Sequence, residues 1–112
     1  MNTGERAERI AANYLRRKGL ELIEANYRCR WGEIDLVLRD QLTVVFAEVR
    51  LRRSDSFGGA AYSIGPRKQK RIIAAARHYL AGRKDAQCRF DVVLLECLDP
   101  LRIEWIRDAF SA

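Results

Sequence analysis

Gly32-Glu33-Ile34-Asp35-Leu36-Val37-Leu38-Arg39-Asp40, followed after Gln41-Leu42 by Thr43-Val44-Val45-Phe46-Ala47-Glu48-Val49-Arg50, is the stretch on which the fold turns. Residues 33–39 alternate with the period of a β-strand: Ile34, Leu36 and Leu38 toward one face, Glu33, Asp35 and Val37 toward the other. Residues 42–50 are rich in Val and Phe and read as a central strand. The short turn Arg39-Asp40-Gln41 between them predicts an antiparallel hairpin. Glu48 and Arg50 are polar on one face of an otherwise apolar strand. If the hairpin pairs around residues 40–41, Asp35 falls near positions 46 to 48 across the ladder, close to Glu48.

Outward from the hairpin, residues 4–18 read as an amphipathic helix, with Ala7, Ile10, Ala11, Tyr14 and Leu15 on one stripe and Gly19 as its stop. Glu8 sits at the edge of that stripe, about 20° around the helix from Leu15. Leu20 to Tyr27 is extended. Residues 51–65 carry Ser54, Asp55, Ser56, Gly58, Gly59, Ser63 and Gly65 and read as a flexible loop. Pro66 opens a second helix that runs to about Ala81, its buried stripe Ile72, Ala75, Ala76, Tyr79 and Leu80. Residues 88–97 and 101–106 supply two more strands. The order is helix, three strands, loop, helix, two strands: an α/β domain spanning residues 1–112.

Composition narrows the partners. With 48% apolar residues the chain can bury one core and is not disordered. No apolar run approaches the roughly 20 residues of a membrane-spanning helix, and the polar N-terminus lacks a signal peptide, so the expectation is cytoplasmic. Cys29, Cys88 and Cys97 form neither a C-x-x-C pair nor a disulfide framework and read as reduced, mostly buried thiols. The lone His78 offers no zinc-ligand spacing. The formal charge of +6 is concentrated. Arg50, Arg52, Arg53, Arg67, Lys68, Lys70 and Arg71 face a single acid, Asp55, between residues 50 and 71, so that segment alone carries the excess. A basic segment on a balanced body points to a polyanion, and DNA is the expected partner. A solubilising loop is the bland alternative.

Two carboxylates sharing a site resist ionisation unless a cation joins them. Magnesium or manganese takes oxygen ligands and needs only one or two protein carboxylates, with water and substrate phosphate completing the shell. Asp35 and Glu48, with Glu8 from the first helix, make such a metal-binding set. Arg50 beside them would stabilise charge on a phosphodiester. The start of the second helix, Arg67-Lys68-Gln69-Lys70-Arg71, offers free N–H groups and basic side chains to phosphate, and with Arg52 and Arg53 forms the expected nucleic-acid grip. Asp91 belongs either to the site or to a pair with Arg89, the structural role being favoured, and Trp31 and Trp105 read as core or edge packing more than as base-stacking platforms.

Ala7-Glu8 with Ala11 and Tyr14-Leu15, Asn26-Tyr27-Arg28, Gly32-Glu33-Ile34-Asp35-Leu36-Val37, Val45-Phe46-Ala47-Glu48-Val49-Arg50, Arg89-Phe90-Asp91-Val92-Val93 and Ala109-Phe110 together resemble the YraN-like family. These are small bacterial proteins, predicted nucleases related to archaeal Holliday junction resolvases. The resemblance implies a restriction-endonuclease-like fold: a mixed central sheet of about five strands flanked by helices. It implies catalytic roles for Glu8, Asp35 and Glu48, and places Arg50 where the motif carries lysine. An endonuclease on branched DNA, working as a homodimer, is the activity it suggests. Two other readings stand beside it: a DNA-binding module of the same fold impaired at position 50, and a protein-interaction domain using the basic loop.

Overall fold

The computed structural model describes residues 3–51, 64–83, 86–98 and 101–112. The elements run α1 (Thr3–Arg17), β1 (Glu21–Cys29), β2 (Gly32–Asp40), β3 (Thr43–Leu51), α2 (Pro66–Tyr79), β4 (Gln87–Leu98) and β5 (Leu101–Phe110). They match the predicted order. The differences lie at the ends: Leu51 still belongs to β3, α2 stops at Tyr79, and β5 continues four residues past the expected end. The loop predicted from 51 to 65 falls outside the described residues over 52–63, and Arg52 and Arg53 with it. Among the described residues no helix is long and apolar enough to cross a membrane.

Helix α1 forms because its apolar residues recur on one stripe, and its ends suit the helix dipole, with Glu5 in the first turn and Arg16 and Arg17 in the last. It ends where the sequence says. Gly19 takes φ +100°, a conformation that costs a glycine little. The Gly19 N–H then reaches the Arg16 carbonyl and the Leu20 N–H the Leu15 carbonyl, which closes the last turn and buries Leu20. Pro66 opens α2 at a position whose N–H would have had no helical partner.

The five strands lie in the order β1-β2-β3-β4-β5. Pairing is antiparallel except between β3 and β4, which are parallel, since α2 lies between them in the chain. The β2–β3 hairpin closes on Asp40 and Thr43 with Gln41 at φ 56°. Side chains of β3 alternate between two cores. Val45 and Ala47 pack with Ala7, Ala11 and Leu15 of α1; Val44 and Phe46 pack with Ile72, Ala75 and Ala76 of α2. One helix therefore covers each face of the sheet. This α/β arrangement, a five-strand mixed sheet flanked by two helices, is compatible with the restriction-endonuclease-like fold.

The alternation predicted for β2 holds only in part. Leu36 and Leu38 pack on the α1 side and Val37 on the α2 side, as expected, but Ile34 also packs on the α2 side. The facing strand changes sides at the same level: Tyr27, opposite Ile34, meets α2, whereas Ala25, opposite Leu36, lines a cleft beside α1. Between these pairs stand Asn26, at φ 56°, and Asp35. A left-handed residue re-aims the strand and carries both chains past a simple period of two.

A second irregularity is filled by Asp91. Between Phe90 and Val92 the β4–β5 register shifts. The fully buried Asp91 carboxylate accepts hydrogen bonds from the Asp108 N–H at 3.0 Å, the Trp105 indole at 2.9 Å and Arg89 Nε at 3.1 Å. Arg89 also reaches Asp40 at 3.1 Å, tying β4 to the far end of β2. Asp91 and Trp105 are thus structural, as expected. The cysteines differ from expectation: Cys29 is half-buried and Cys88 exposed. Both sit at strand ends, away from the covered middle of the sheet.

Gly32, the first residue of β2, is buried, and a Cβ there would lie 2.7 Å from the Arg71 carbonyl oxygen of α2. The missing side chain lets helix and sheet touch. Gly32→Ala must push α2 away and should destabilise the protein by about 1–3 kcal/mol, as overpacking does. Thermal denaturation should show a Tm lower by about 4–8 °C for each kcal/mol. An unchanged Tm would mean that the helix is free to shift.

Candidate active site

The ladder between β2 and β3 ends at Leu36 and Ala47. The next position would set Asp35 against Glu48. Here the strands part, and the side chains take over the hydrogen bonds. The Asp35 N–H donates to Glu48 Oε2 at 3.1 Å, and the Val49 N–H donates to Asp35 Oδ2 at 2.9 Å. Each acid satisfies a backbone amide on the other strand, which would otherwise be lost in a half-buried place. The neighbourhood read from the sequence is therefore realised as a direct exchange.

Glu48 is 2% exposed, and the two carboxyl groups are within hydrogen-bonding reach of each other. Burial, and then the charge of Asp35, push Glu48 up to about 7, against the opposing pull of the Asp35 amide and Lys68. Burial raises Asp35 as well. Glu48 therefore keeps its proton to a higher pH than a separate surface acid would.

Lys68, in the first turn of α2, brings Nζ to 3.6 Å from Glu48 Oε1. The sequence had placed Lys68 with the phosphate-gripping residues and Arg50 with the acids. Alternation keeps Arg50 on the same strand face as Glu48, half-exposed. Among the described residues, the cation paired with Glu48 is Lys68. Nothing local in the sequence marks it: it lies 20 residues from Glu48, and only the seating of α2 on Gly32 brings the two together. A cleft of about 470 Å³ opens beside Lys68, lined by Glu33, Gly65, Arg67, Lys68, Arg71 and Ile72. Arg67, Lys68 and Arg71 thus share one wall, while Lys70 is exposed outside it.

Glu8 stands apart from this pair. Its carboxylate accepts a hydrogen bond from the Asn26 side chain, and it lines a cleft with Arg9, Asn13 and Asn26 on the α1 side. Burial raises its pKa and the Asp35 charge adds to the shift, so the acids feel one another electrostatically. Among the described residues no group of three or more His, Cys, Asp or Glu side chains is gathered to hold an ion. The structure brings Asp35 and Glu48 together and leaves Glu8 tied to Asn26.

Asp35 and Glu48 offer carboxylate oxygens, the kind of donor that hard divalent cations take, and each acid has one oxygen committed to a backbone amide. Asp91 offers a contrast, its carboxylate occupied by three donor groups within the fold.

The chain belongs to Uncharacterised protein family UPF0102, whose profile matches residues 7–95 and so includes Glu8, Asp35, Glu48 and Lys68. A UPF0102 protein of Nitrosomonas europaea is 57% identical over 111 residues, covering 98% of this chain and 94% of its own. One from Methylobacillus flagellatus is 51% identical over 109 residues, covering 97% and 96%. One from Ralstonia nicotianae is 54% identical over 115 residues, covering 97% and 86%. These names state no activity.

The raised Glu48 pKa has a signed consequence for stability. The folded state holds this proton more tightly than the unfolded chain, so the contribution is fully present below the ordinary value of 4.5 and is lost as pH rises through about 7. In chelator, the wild-type Tm should fall between pH 5 and pH 8, by an amount on the order of a few kcal/mol of stability. Glu48→Gln, neutral at both pH values, should flatten that slope. An equally steep decline in Glu48→Gln would place the titration elsewhere.

Proposed function

We propose that this protein is a metal-dependent endonuclease that hydrolyses phosphodiester bonds of DNA. One observation carries the reading: two carboxylates, Glu48 buried and Asp35 half-buried, bridge a parted pair of strands, and the lysine 3.6 Å from Glu48 lines a cleft together with Arg67 and Arg71. Asp35 and Glu48 would hold Mg²⁺ or Mn²⁺, which when bound supplies Lewis-acid polarisation of the phosphodiester. Lys68 would stabilise the charge that gathers on the phosphate as water adds to phosphorus and the ester P–O bond breaks. Arg67 and Arg71 would hold the backbone on either side, their guanidinium forks suiting phosphate. Family membership and the fold support this class of chemistry through the YraN-like resemblance. Glu8 lies on the α1 side, where the Asp35 charge reaches it, and Arg50 shares the strand face of Glu48.

The test is cleavage of linear, flapped and branched DNA by purified protein with Mg²⁺, with Mn²⁺ and with chelator. Metal-dependent cutting is expected, abolished by Asp35→Ala and Glu48→Ala. Lys68→Ala should lower kcat by about 10²–10³, the usual effect of removing one charge-stabilising donor. Arg50→Ala should cost less, since Lys68 is the cation at the acids. Salt-sensitive DNA binding without cleavage under any metal condition would favour a binding module over an enzyme. Absence of binding would sink both readings.

A further inference from the structure

The β1–β2 hairpin ends in Arg30 and Trp31, a two-residue tip closed by the Cys29–Gly32 pair. Trp31 is 51% exposed, although an indole buries more apolar area than almost any other side chain when it can. The other tryptophan, Trp105, behaves as the sequence predicts, half-buried with its N–H on Asp91. Trp31 departs from that expectation. Single exposed apolar side chains are common, and Leu42 at the tip of the next hairpin is one. Three features set Trp31 apart.

The first is its place. β2 enters the sheet from this tip, and Asp35 lies four residues on, about 13 Å along an extended strand. Leu42 sits at the opposite end of the same strand. The second is the anchoring of the tip. Its base, Gly32, lies in backbone contact with Arg71 of α2, and the next residue, Glu33, lines the same cleft as Arg67, Lys68 and Arg71. The tip therefore stands on the rim of that cleft. The third is the state of the ring. The Arg30 guanidinium lies over Trp31, 4.9 Å from the ring centroid, so one face of the indole is occupied and the ring is partly held in orientation. Arg28, also on β1, pairs with Glu33 at 3.2 Å and adds a further exposed cation beside the rim.

A partly held aromatic ring near a cleft that carries three cations suits a nucleobase, since phosphate follows the cations and the base seeks a π-face. In a continuous duplex the bases are stacked on one another and offer no free face. We propose that Trp31 is a stacking platform for an unpaired base of the DNA strand lying in the Arg67–Lys68–Arg71 cleft. The substrate class is DNA with unpaired bases next to the cut, such as a flap, gap or opened fork. The proposal rests on DNA being the substrate of the neighbouring acidic pair, but it concerns binding and is tested without catalysis.

The experiment measures binding of wild type, Trp31→Ala and Trp31→Phe to three DNAs of equal length in chelator: continuous duplex, 5′-flap and gapped duplex. Wild type should bind the flap and the gap more tightly than the duplex. Trp31→Ala should lose about tenfold to a hundredfold on flap and gap, the range expected for one base–aromatic stack, with the duplex changed by less than about threefold. Trp31→Phe should keep most of the affinity. Tryptophan fluorescence should be quenched by the flap in wild type, and the quench should vanish in Trp31→Phe, which leaves only Trp105 to report. A uniform loss on all three DNAs, or no loss on any, overturns the stacking role while leaving the nuclease reading standing. If wild type binds none of them, the proposal falls together with the reading beneath it.

Discussion

The exchange of hydrogen bonds between Asp35 and Glu48 is the constraint around which the rest of the site is arranged. Two antiparallel strands cannot separate in a protein interior without stranding amides. Here Glu48 Oε2 takes the Asp35 N–H and Asp35 Oδ2 takes the Val49 N–H, so the sheet opens without leaving those two donors unmet. The opening turns two acids toward each other, and burial raises the pKa of both. Replacing either with an apolar residue would remove an acceptor as well as a charge. Structure and chemistry share the same atoms at this point.

The position of α2 completes the arrangement. Because Gly32 has no side chain, the helix backbone meets the start of β2. That contact sets the first turn of α2 over the split, delivers Lys68 to Glu48 and leaves Arg67 and Arg71 on the wall of the cleft. The ion pair is lopsided, since Glu48 is fully buried while Lys68 is about half-exposed. Such a lysine can exchange one oxygen partner for another at small cost, whereas a buried one could not. The proposed role of Lys68 at a phosphate calls for that property.

Asp91 contrasts with the Asp35–Glu48 pair on the same sheet. Both places answer a disturbed ladder with a carboxylate. Asp91 is enclosed by Arg89, Trp105 and the Asp108 amide, and it locks β4 to β5. Asp35 and Glu48 are left with like charge between them and a half-exposed lysine as the neighbouring cation. Burial alone does not separate the two cases, because Asp91 and Glu48 are both buried. The number of fixed donors around each carboxylate does.

Much of this was legible in the chain itself. The period-two pattern of residues 33–39 and the short turn after it dictate a hairpin, and the hairpin's register puts Asp35 opposite Glu48. The apolar stripes of residues 4–18 and 66–81 dictate two helices, and Gly19 and Pro66 mark their ends, because these are effects of local geometry that any reader of the sequence can apply. The basic start of α2 is equally plain. What required the tertiary structure is each contact between segments distant in sequence. Ile34 changes sides because Asn26 on another strand adopts a left-handed conformation. Glu8 is tied to Asn26 on the α1 side, outside the contact between Asp35 and Glu48, since a helix stripe fixes which face is apolar but not how far the helix stands from a given strand. Lys68 reaches Glu48 from α2, since alternation can say which face a strand residue takes and cannot say which helix residue will lean over it. Local pattern is written in intervals of two and 3.6 residues, whereas the seating of α2 depends on an absent Cβ at Gly32, which no periodicity records.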